Sequence, residues 1–551
     1  MTELLWPRYA SPADLKHIES IPLAQRGLPE STYELLARAA RLWPDRTALN
    51  VLPDASRWTE PSHRTFSELL SDVHKTANAL HDLGIQRHSA VALLSPNCDE
   101  LITATLAAQL AGIAAPINGA LSADHITELV IRAGARVLIA AAPELDPASW
   151  ATAQQLISTG VVDAVLALRP TGAMLKPNAD VAYLGQLAEK YDGSTFHGQP
   201  PTAGDLAALF HTGGTTGKPK PAAHTHANEV TDAWMIAANS LLDDDSVLFA
   251  GLPLFHVNAL VVTLLAPLLR GQQAVWAGPL GYRDTALYAT FWKIVQQYGI
   301  GAMSAVPTVY AVLAQCPVDA DITSLRYALV GASALPAAVR TDFESHIGVP
   351  LVEGYGLTEA SPGVTTTLGE SEPKPGSVGR PLPNVELRIA DEQGEDVEGD
   401  DPGEILIRGG NLFSGYWPDG VDGPDAEGWY RTGDVGFLDG DGDLFLVDRL
   451  RELIIVSGFN VFPSEVEDVL VAAPGVREAA VIGVPSEETG EAVKAFVVPL
   501  PDASVDVAAV REYAGSRLAR FKCPVEIEVV ENLPHSVTGK VAKGRLRGAD
   551  R

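Results

Sequence analysis

Cysteine is nearly absent. Cys98, Cys316 and Cys523 stand far apart with no Cys-x-x-Cys spacing, which excludes a disulfide framework and a sequence-encoded zinc cluster and points to a reducing cytoplasm. Positive charge is also scarce. Lys and Arg total 40 against 69 Asp and Glu, a formal charge of −29, and that balance opposes extended binding to nucleic acid or an anionic membrane surface. A polyphosphate ligand would therefore have to be met by local potential from backbone N–H groups, a metal ion and a few placed cations. Long apolar runs are missing too: the longest, 101–117, is interrupted by Thr103, Thr105 and Gln109, and the opening MTELLWPRYASPADLK has no charged segment followed by an apolar core. Neither a signal peptide nor integral membrane association is expected.

The chain has 551 residues, of which 46% are hydrophobic and 20% charged. That is ordinary globular composition, long enough for several folding units. From about Thr65 helical patterns alternate with short β-rich runs: SELLSDVHKTANALHDLGI, SAVALLSP, ELITATLAAQLAGI and RVLIAA, then after 205 DLAALF, SVLFAGLP, QAVWAG, GAMSAVP and RYALVGAS. The alternation predicts βαβ units and two α/β lobes with largely parallel sheets. Between about 376 and 447 the texture changes to VELRIAD, GEILIRG and GDLFLVD separated by Gly, Asp and Pro, a small β-rich subdomain. After Arg449 an independent α+β pattern begins: SEVEDVLVAAPG and DVAAVREYAGSRLARF as helices, AAVIGVP and AVKAFVVP as strands. The expected fold class is α/β, with an N-terminal domain over 1–448 and a small α+β C-terminal domain over 449–551.

The stretch HTGGTTGKPK, 211–220, is close to a phosphate-binding P-loop, G-x-x-x-x-G-K-[ST]. It fails twice. With Gly217-Lys218 as the GK pair, the first glycine position holds Thr212 and the hydroxyl position holds Pro219. What remains is a loop with hydroxyls on Thr212, Thr215 and Thr216, glycines at 213, 214 and 217, and Lys218 and Lys220. Such a loop can cradle phosphates through backbone N–H groups, hydroxyls and cations; the residues alone leave a flexible surface turn equally open.

Four further segments follow in order: GYGLTEASP at 354–362, YRTGDVGFLDGDGDLFLVDR at 430–449, RELIIVSGFNVFPSEVE at 451–467 and PHSVTGK at 534–540. Together with the loop, this set resembles the adenylate-forming superfamily of acyl-CoA synthetases, peptide-synthetase adenylation domains and beetle luciferases. The likeness runs over about 30–545 and is nearest to the fatty acyl-CoA synthetases. It implies that Thr212, Gly213, Gly214, Thr215, Thr216, Gly217 and Lys220 close on the β- and γ-phosphates of ATP. Thr358 and Glu359 would serve the phosphates and Mg²⁺, with Glu359 as the metal carboxylate. Gly331, Ala332, Ser333, Tyr355 and Gly356 would border adenine, and Asp434 and Arg449 would hold the ribose. His256, with Val257, Met303 and Gly354, would gate or line the acid pocket, although a lone histidine beside apolar residues is also read as a core side chain. Ser457, Gly458 and Phe459 would face coenzyme A. Lys540 would enter the site to meet the acid carboxylate and the α-phosphate. The small domain would be mobile about a hinge near 449–451, with Arg451 as the pivot. Two positions depart from the family pattern: Pro221 stands where glycine is usual, and Arg451 where Asp or Lys is usual.

The implied activity is a two-step ligase. A carboxylic acid reacts with MgATP to give an acyl-adenylate, and the coenzyme A thiol then displaces AMP. A stand-alone adenylation enzyme loading a carrier protein is the alternative; a P-loop phosphotransferase or nucleotide-binding regulator is disfavoured by the two failed positions. Trp234, Met235, Val257, Met303, Val306 and Gly354 suggest an apolar acid. Oligomeric state stays open, a homodimer included.

Overall fold

A computed structural model describes residues 5–548 except 172, 174–176, 213–219, 334, 392, 398, 400, 458, 487–488, 502 and 536–540. Two large sheets carry the first two thirds of the chain. One has six strands in the spatial order Ala164–Leu168, Val137–Ala141, Ala90–Leu94, Ile113–Pro116, Leu206–Thr212 and Lys220–Thr225. All its pairings are parallel except the last. The second has nine strands. Its centre is parallel, Leu351–Gly356, Tyr327–Val330, Ile300–Ala305, Val247–Ala250, Gln273–Trp276 and Thr47–Val51, and antiparallel strands close both edges. Two largely parallel sheets are those expected from the alternation, but the run DLAALF, read with the later strands, joins the first sheet beside Ile113–Pro116, and the strand Thr47–Val51 precedes the point where the pattern becomes readable. It crosses to the second sheet and pairs with Gln273–Trp276, a choice made by tertiary contact and not by local sequence.

Local chemistry sets the helix ends. Thr65 and Glu68 form a reciprocal capping box for the helix Phe66–Asp82, and Thr225 and Asn228 do the same for the helix His226–Ala237. The core is dense and aromatic beside the second sheet. Phe249, Phe291 and Trp292 are fully buried, with successive rings edge to face at 5.2 and 5.1 Å. Burial of each contributes roughly 2–3 kcal/mol.

Downstream, Glu386–Ala390, Gly403–Arg408, Tyr430–Leu438 and Leu444–Arg449 form an antiparallel four-stranded sheet. The last sheet has five strands, with Val476–Ser486 and Gly490–Pro499 as its long hairpin. Helices Pro463–Val471 and Val507–Gly515 pack on it around Val461, Val466, Leu470, Val481 and Val497. The second of these helices is shorter than its pattern suggests and ends at Gly515, a poor helix former. Among the described residues no helix is long and apolar enough to cross a membrane.

His226 joins the helix Thr32–Leu42 to the start of the helix His226–Ala237. It is fully buried, and its Nδ1 lies 3.3 Å from the Thr32 amide and 3.1 Å from the Thr32 hydroxyl. Burial drives the imidazole down to about 3, with Asp205 partly opposing. An unfolded histidine takes a proton near pH 6.5 whereas the folded ring resists it, so stability is complete above that pH and is lost as pH falls towards 3. Relative to His226→Gln, the wild type should lose about 1.4 kcal/mol per pH unit below about pH 6. Urea unfolding of both proteins at several pH values measures the gap, and a constant gap would refute a buried neutral ring.

Candidate functional site

Three adjacent parallel strands deliver the candidate residues to one edge. Ala305 aligns with Val330, and Val330 with Glu353. The segments that follow, Val306, Gly331–Ser333 and Gly354–Thr358, therefore emerge side by side at the carboxyl ends of the strands, where open α/β sheets bind ligands. Ala332 has φ 72°, a left-handed turn that redirects the chain immediately after its strand.

The loop 213–219 lies outside the described residues, but its two arms are clear. Thr212 ends the strand Leu206–Thr212, Lys220 begins the strand Lys220–Thr225, and the two residues are antiparallel partners. The loop thus closes a β-hairpin. A P-loop would run from strand into helix, so the topology removes that reading independently of the sequence mismatches. Pro221 falls within the edge strand of its sheet, where a missing N–H is tolerated.

Thr358 and Glu359 occupy a short 3₁₀ turn, Thr358–Ala360, after the strand Leu351–Gly356. The Tyr416 hydroxyl donates to Glu359 Oε1. Burial and that carboxylate push the hydroxyl far above its ordinary range, which keeps it protonated as a donor. The Lys220 ammonium stands 5.1 Å from the centre of the Tyr416 ring and 2.9 Å from Asp422 Oδ2. Lys220, Tyr416 and Glu359 are therefore one cluster. Its donor set of carboxylate and hydroxyl oxygens suits a hard cation such as Mg²⁺. Asp439, Asp441 and Asp443 form the one acidic triad with ligand spacing among the described residues. A protein cation already sits among them: Lys374 Nζ lies 2.6, 2.8 and 2.8 Å from Asp439, Asp441 and Asp443.

A second cluster joins three more predicted residues. Tyr355 donates its hydroxyl to Asp434 Oδ2 at 2.6 Å, and Arg449 Nε lies 2.9 Å from Asp434 Oδ1. Asp434 and Arg449 are cross-strand partners, so this pairing is built into the β-rich sheet. Burial and Asp434 raise the Tyr355 hydroxyl, holding it as a donor.

Of the residues expected to line the acid pocket, two are packed in the core. Val257 and Met303 are 2% and 1% exposed and belong to the hydrophobic core. Met303 faces the layer of Phe249 and Trp292, because alternate residues of its strand point to opposite faces of the sheet. Trp234 and Met235 are core side chains as well. Ser304, on the other face from Met303, lies 3.3 Å from Asn258 Oδ1. His256 caps the helix Val257–Leu260, its Nδ1 accepting from the Asn258 amide at 3.3 Å. A second histidine, not singled out in the sequence, stands beside it: His211 stacks on Phe255 at 6.1 Å and accepts the Asn118 amide on Nε2 at 3.1 Å. Burial, and to a lesser degree His256, bring His211 down to about 4. Its place immediately before Thr212 was the available signal. Gly354 approaches the neighbouring strand so closely that a Cβ would meet the Thr365 carbonyl at 3.0 Å.

On the small α+β unit, Ser457 adopts φ 52° and donates its amide to Thr489 O at 2.8 Å. Phe459 is well exposed and stacks on Phe521 at 4.9 Å. Arg451 lies in the short turn Leu450–Glu452. Gly213 to Gly217, Gly458 and Lys540 lie outside the described residues.

Two family models match the chain: AMP-binding enzyme over residues 36–417, and AMP-binding enzyme C-terminal domain over 465–540. Among curated relatives, marinolic acid–CoA ligase of Pseudoalteromonas sp. (strain SANK 73390) is 31% identical, covering 97% of this chain and 83% of its own. Long-chain-fatty-acid–CoA ligase of Bacillus subtilis (strain 168) is 30% identical over 97% and 96%. Among solved structures, ATP-bound MatB from Rhodopseudomonas palustris superposes with a TM-score of 0.83 at 27% identity, covering 94% of this chain and 99% of that one.

Proposed function

The chain belongs to the AMP-binding enzyme family and is an acyl-CoA synthetase, and from that premise we propose that it activates an apolar carboxylic acid with MgATP and passes the acyl group to coenzyme A. ATP-bound MatB supports ATP as the nucleotide. In the first step a carboxylate oxygen bonds to the α-phosphorus while the bond to pyrophosphate breaks and pyrophosphate leaves with the electron pair. In the second step the thiol sulfur bonds to the acyl carbon, the bond to AMP breaks, and the thiol proton passes to solvent. Positioning and electrostatics supply the catalysis, with no covalent enzyme intermediate.

The observation that carries the site assignment is the convergence of Lys220, Tyr416 and Glu359 in one cluster, with Tyr355, Asp434 and Arg449 in the other. In this reading Glu359 would hold Mg²⁺, which neutralises phosphate charge. Asp434 would accept the ribose hydroxyls while Tyr355 and Arg449 fix its carboxylate. Lys540 would meet the α-phosphate. Ser457, Gly458 and Phe459 would border the pantetheine path, and His256, with His211 beside it, the acid. A hinge near 449–451 would divide 1–448 from 449–551 and let the smaller part turn between the steps. The long-chain fatty acid named for the Bacillus relative favours an apolar acid. Cysteine usage favours the cytoplasm.

AMP release with ATP, coenzyme A and a panel of acids graded in length and ring content tests the reading. Coenzyme A-dependent AMP release with fatty or aryl acids is expected; ADP release, or AMP release only with a carrier protein, would overturn it. Asp434→Asn keeps an acceptor for Tyr355 but loses the charge. It should raise the KM for ATP about tenfold, because charge-assisted bonds contribute on the order of 1.5–3 kcal/mol. Pyrophosphate exchange at varied ATP measures the change.

A further inference from the structure

The turn Thr358–Gly363 is held from behind by buried groups that no ligand would touch. His224 Nε2 lies 2.8 Å from the Thr358 carbonyl, and because a carbonyl can only accept, that nitrogen carries the proton. The Phe413 amide donates to the Glu359 carbonyl at 2.9 Å. Asn411 Nδ2 donates to the Ala360 carbonyl at 3.0 Å and to the Gly363 carbonyl at 2.6 Å. Asp232 Oδ2 accepts the Gly363 amide at 3.1 Å. Three successive carbonyls, 358 to 360, are thus each fixed by a residue from another part of the chain.

The supporting side chains are themselves built in. Glu229 Oε1 lies 3.7 Å from His224 Nδ1, and Glu229 Oε2 accepts from Gln109 Nε2 at 2.7 Å. His224, Glu229, Gln109 and Asp232 are fully buried, and Asn411 nearly so. A core holding this many polar groups costs more to desolvate than an aliphatic one of the same shape, so in energetic terms it is a poor way to gain stability alone. It does fix geometry. His224 also lies on the same face of its strand as Lys220 and Ala222, by the two-residue period. Lys220 meets Tyr416 through its ring, and Ala222 forms an antiparallel bridge with Tyr416. One strand therefore links the arm of the phosphate hairpin to the turn that carries Glu359.

We propose that His224 and Asn411 are positioning residues for the adenylation step: they lock the Thr358–Glu359 turn against the phosphate hairpin, so that the Glu359 carboxylate is preset for the metal of MgATP. The inference rests on the reading of Glu359 as the metal carboxylate. It predicts that His224 acts on metal-dependent nucleotide binding and not on the acid or the thiol.

The test uses the full chain and needs no knowledge of the acid. ATP binding is measured calorimetrically with Mg²⁺ and with EDTA for the wild type, His224→Leu and His224→Gln, alongside melting temperatures. Wild type should bind ATP more tightly with Mg²⁺. His224→Leu should lose most of that enhancement, about tenfold, with binding in EDTA little changed. His224→Gln, which keeps a side-chain donor, should regain it. Asn411→Ser should reproduce the leucine variant's loss, and it serves as the second arm where the leucine variant does not fold. An unchanged Mg²⁺ enhancement in folded His224→Leu or Asn411→Ser, or equal loss in the leucine and glutamine variants, would overturn the positioning role. Tight Mg²⁺-dependent ATP binding by wild type that also survives Glu359→Gln would instead overturn the metal assignment on which it rests.

Discussion

Replacing Lys540 by alanine should slow acyl-adenylate formation by about 10² or more, the scale for one lost transition-state donor, and should leave thioester formation from preformed acyl-adenylate close to wild type. Charge spreads over the α-phosphate oxygens as the carboxylate attacks, and a placed ammonium stabilises it most where it develops. The second step breaks a carbon–oxygen bond and makes no such demand on the same cation. Lys543, three residues on, is the natural control. It is 12% exposed and clamped between Glu467 at 2.8 Å and Glu452 at 3.3 Å. Its loss leaves Glu467, whose carboxyl burial already raises, without its cation. Lys543→Ala should therefore cost stability on the scale of a broken buried pair, about 3 kcal/mol, while Lys540→Ala should melt like the wild type. Pyrophosphate exchange, coenzyme A cleavage of synthetic acyl-adenylate and thermal melts separate the two lysines. Near wild-type exchange by Lys540→Ala rejects its assignment.

Hydrophobic rhythm made much of the parallel sheets legible, because strands such as Ala90–Leu94, Val137–Ala141, Val247–Ala250 and Ile300–Ala305 are short apolar runs with their own punctuation. The strand Thr47–Val51 escaped because nothing in its five residues names the partner, Gln273–Trp276, more than two hundred positions away. Candidate site residues in ordered motifs could be named for a similar reason: TGGTTGKPK, YGLTE and TGD are local strings. Their mutual contacts were not. Tyr416 reaches Glu359 through a hydroxyl 57 positions downstream, and His224 reaches Thr358 from 134 positions upstream. A histidine between Ala223 and Thr225 reads as an ordinary edge-strand residue until its ring is seen against a carbonyl. The acid pocket was not legible at this level. Hydrophobic residues near a site are legible as apolar, but which face of the strand they occupy decides between core and pocket, and for Met303 that face is the core.

Replacing Glu359 by glutamine should lower adenylation by about 10² or more and flatten its response to Mg²⁺. Glutamine retains an acceptor for the Tyr416 hydroxyl, so the turn should persist and the melting temperature should hold; what disappears is the negative charge that a hard cation requires. Tyr416→Phe offers the complementary case, removing the donor while the carboxylate remains, and its defect should be much smaller. The acidic triad makes the comparison sharp. Asp439, Asp441 and Asp443 look more like a metal site than a single glutamate does, yet Lys374 already supplies the cation at their centre. Asp441→Asn should consequently leave the Mg²⁺ response of pyrophosphate exchange where it was. If instead Asp441→Asn shifted that response and Glu359→Gln did not, the metal would have to be assigned to the triad, and Glu359 would be reduced to a hydrogen-bond acceptor for Tyr416.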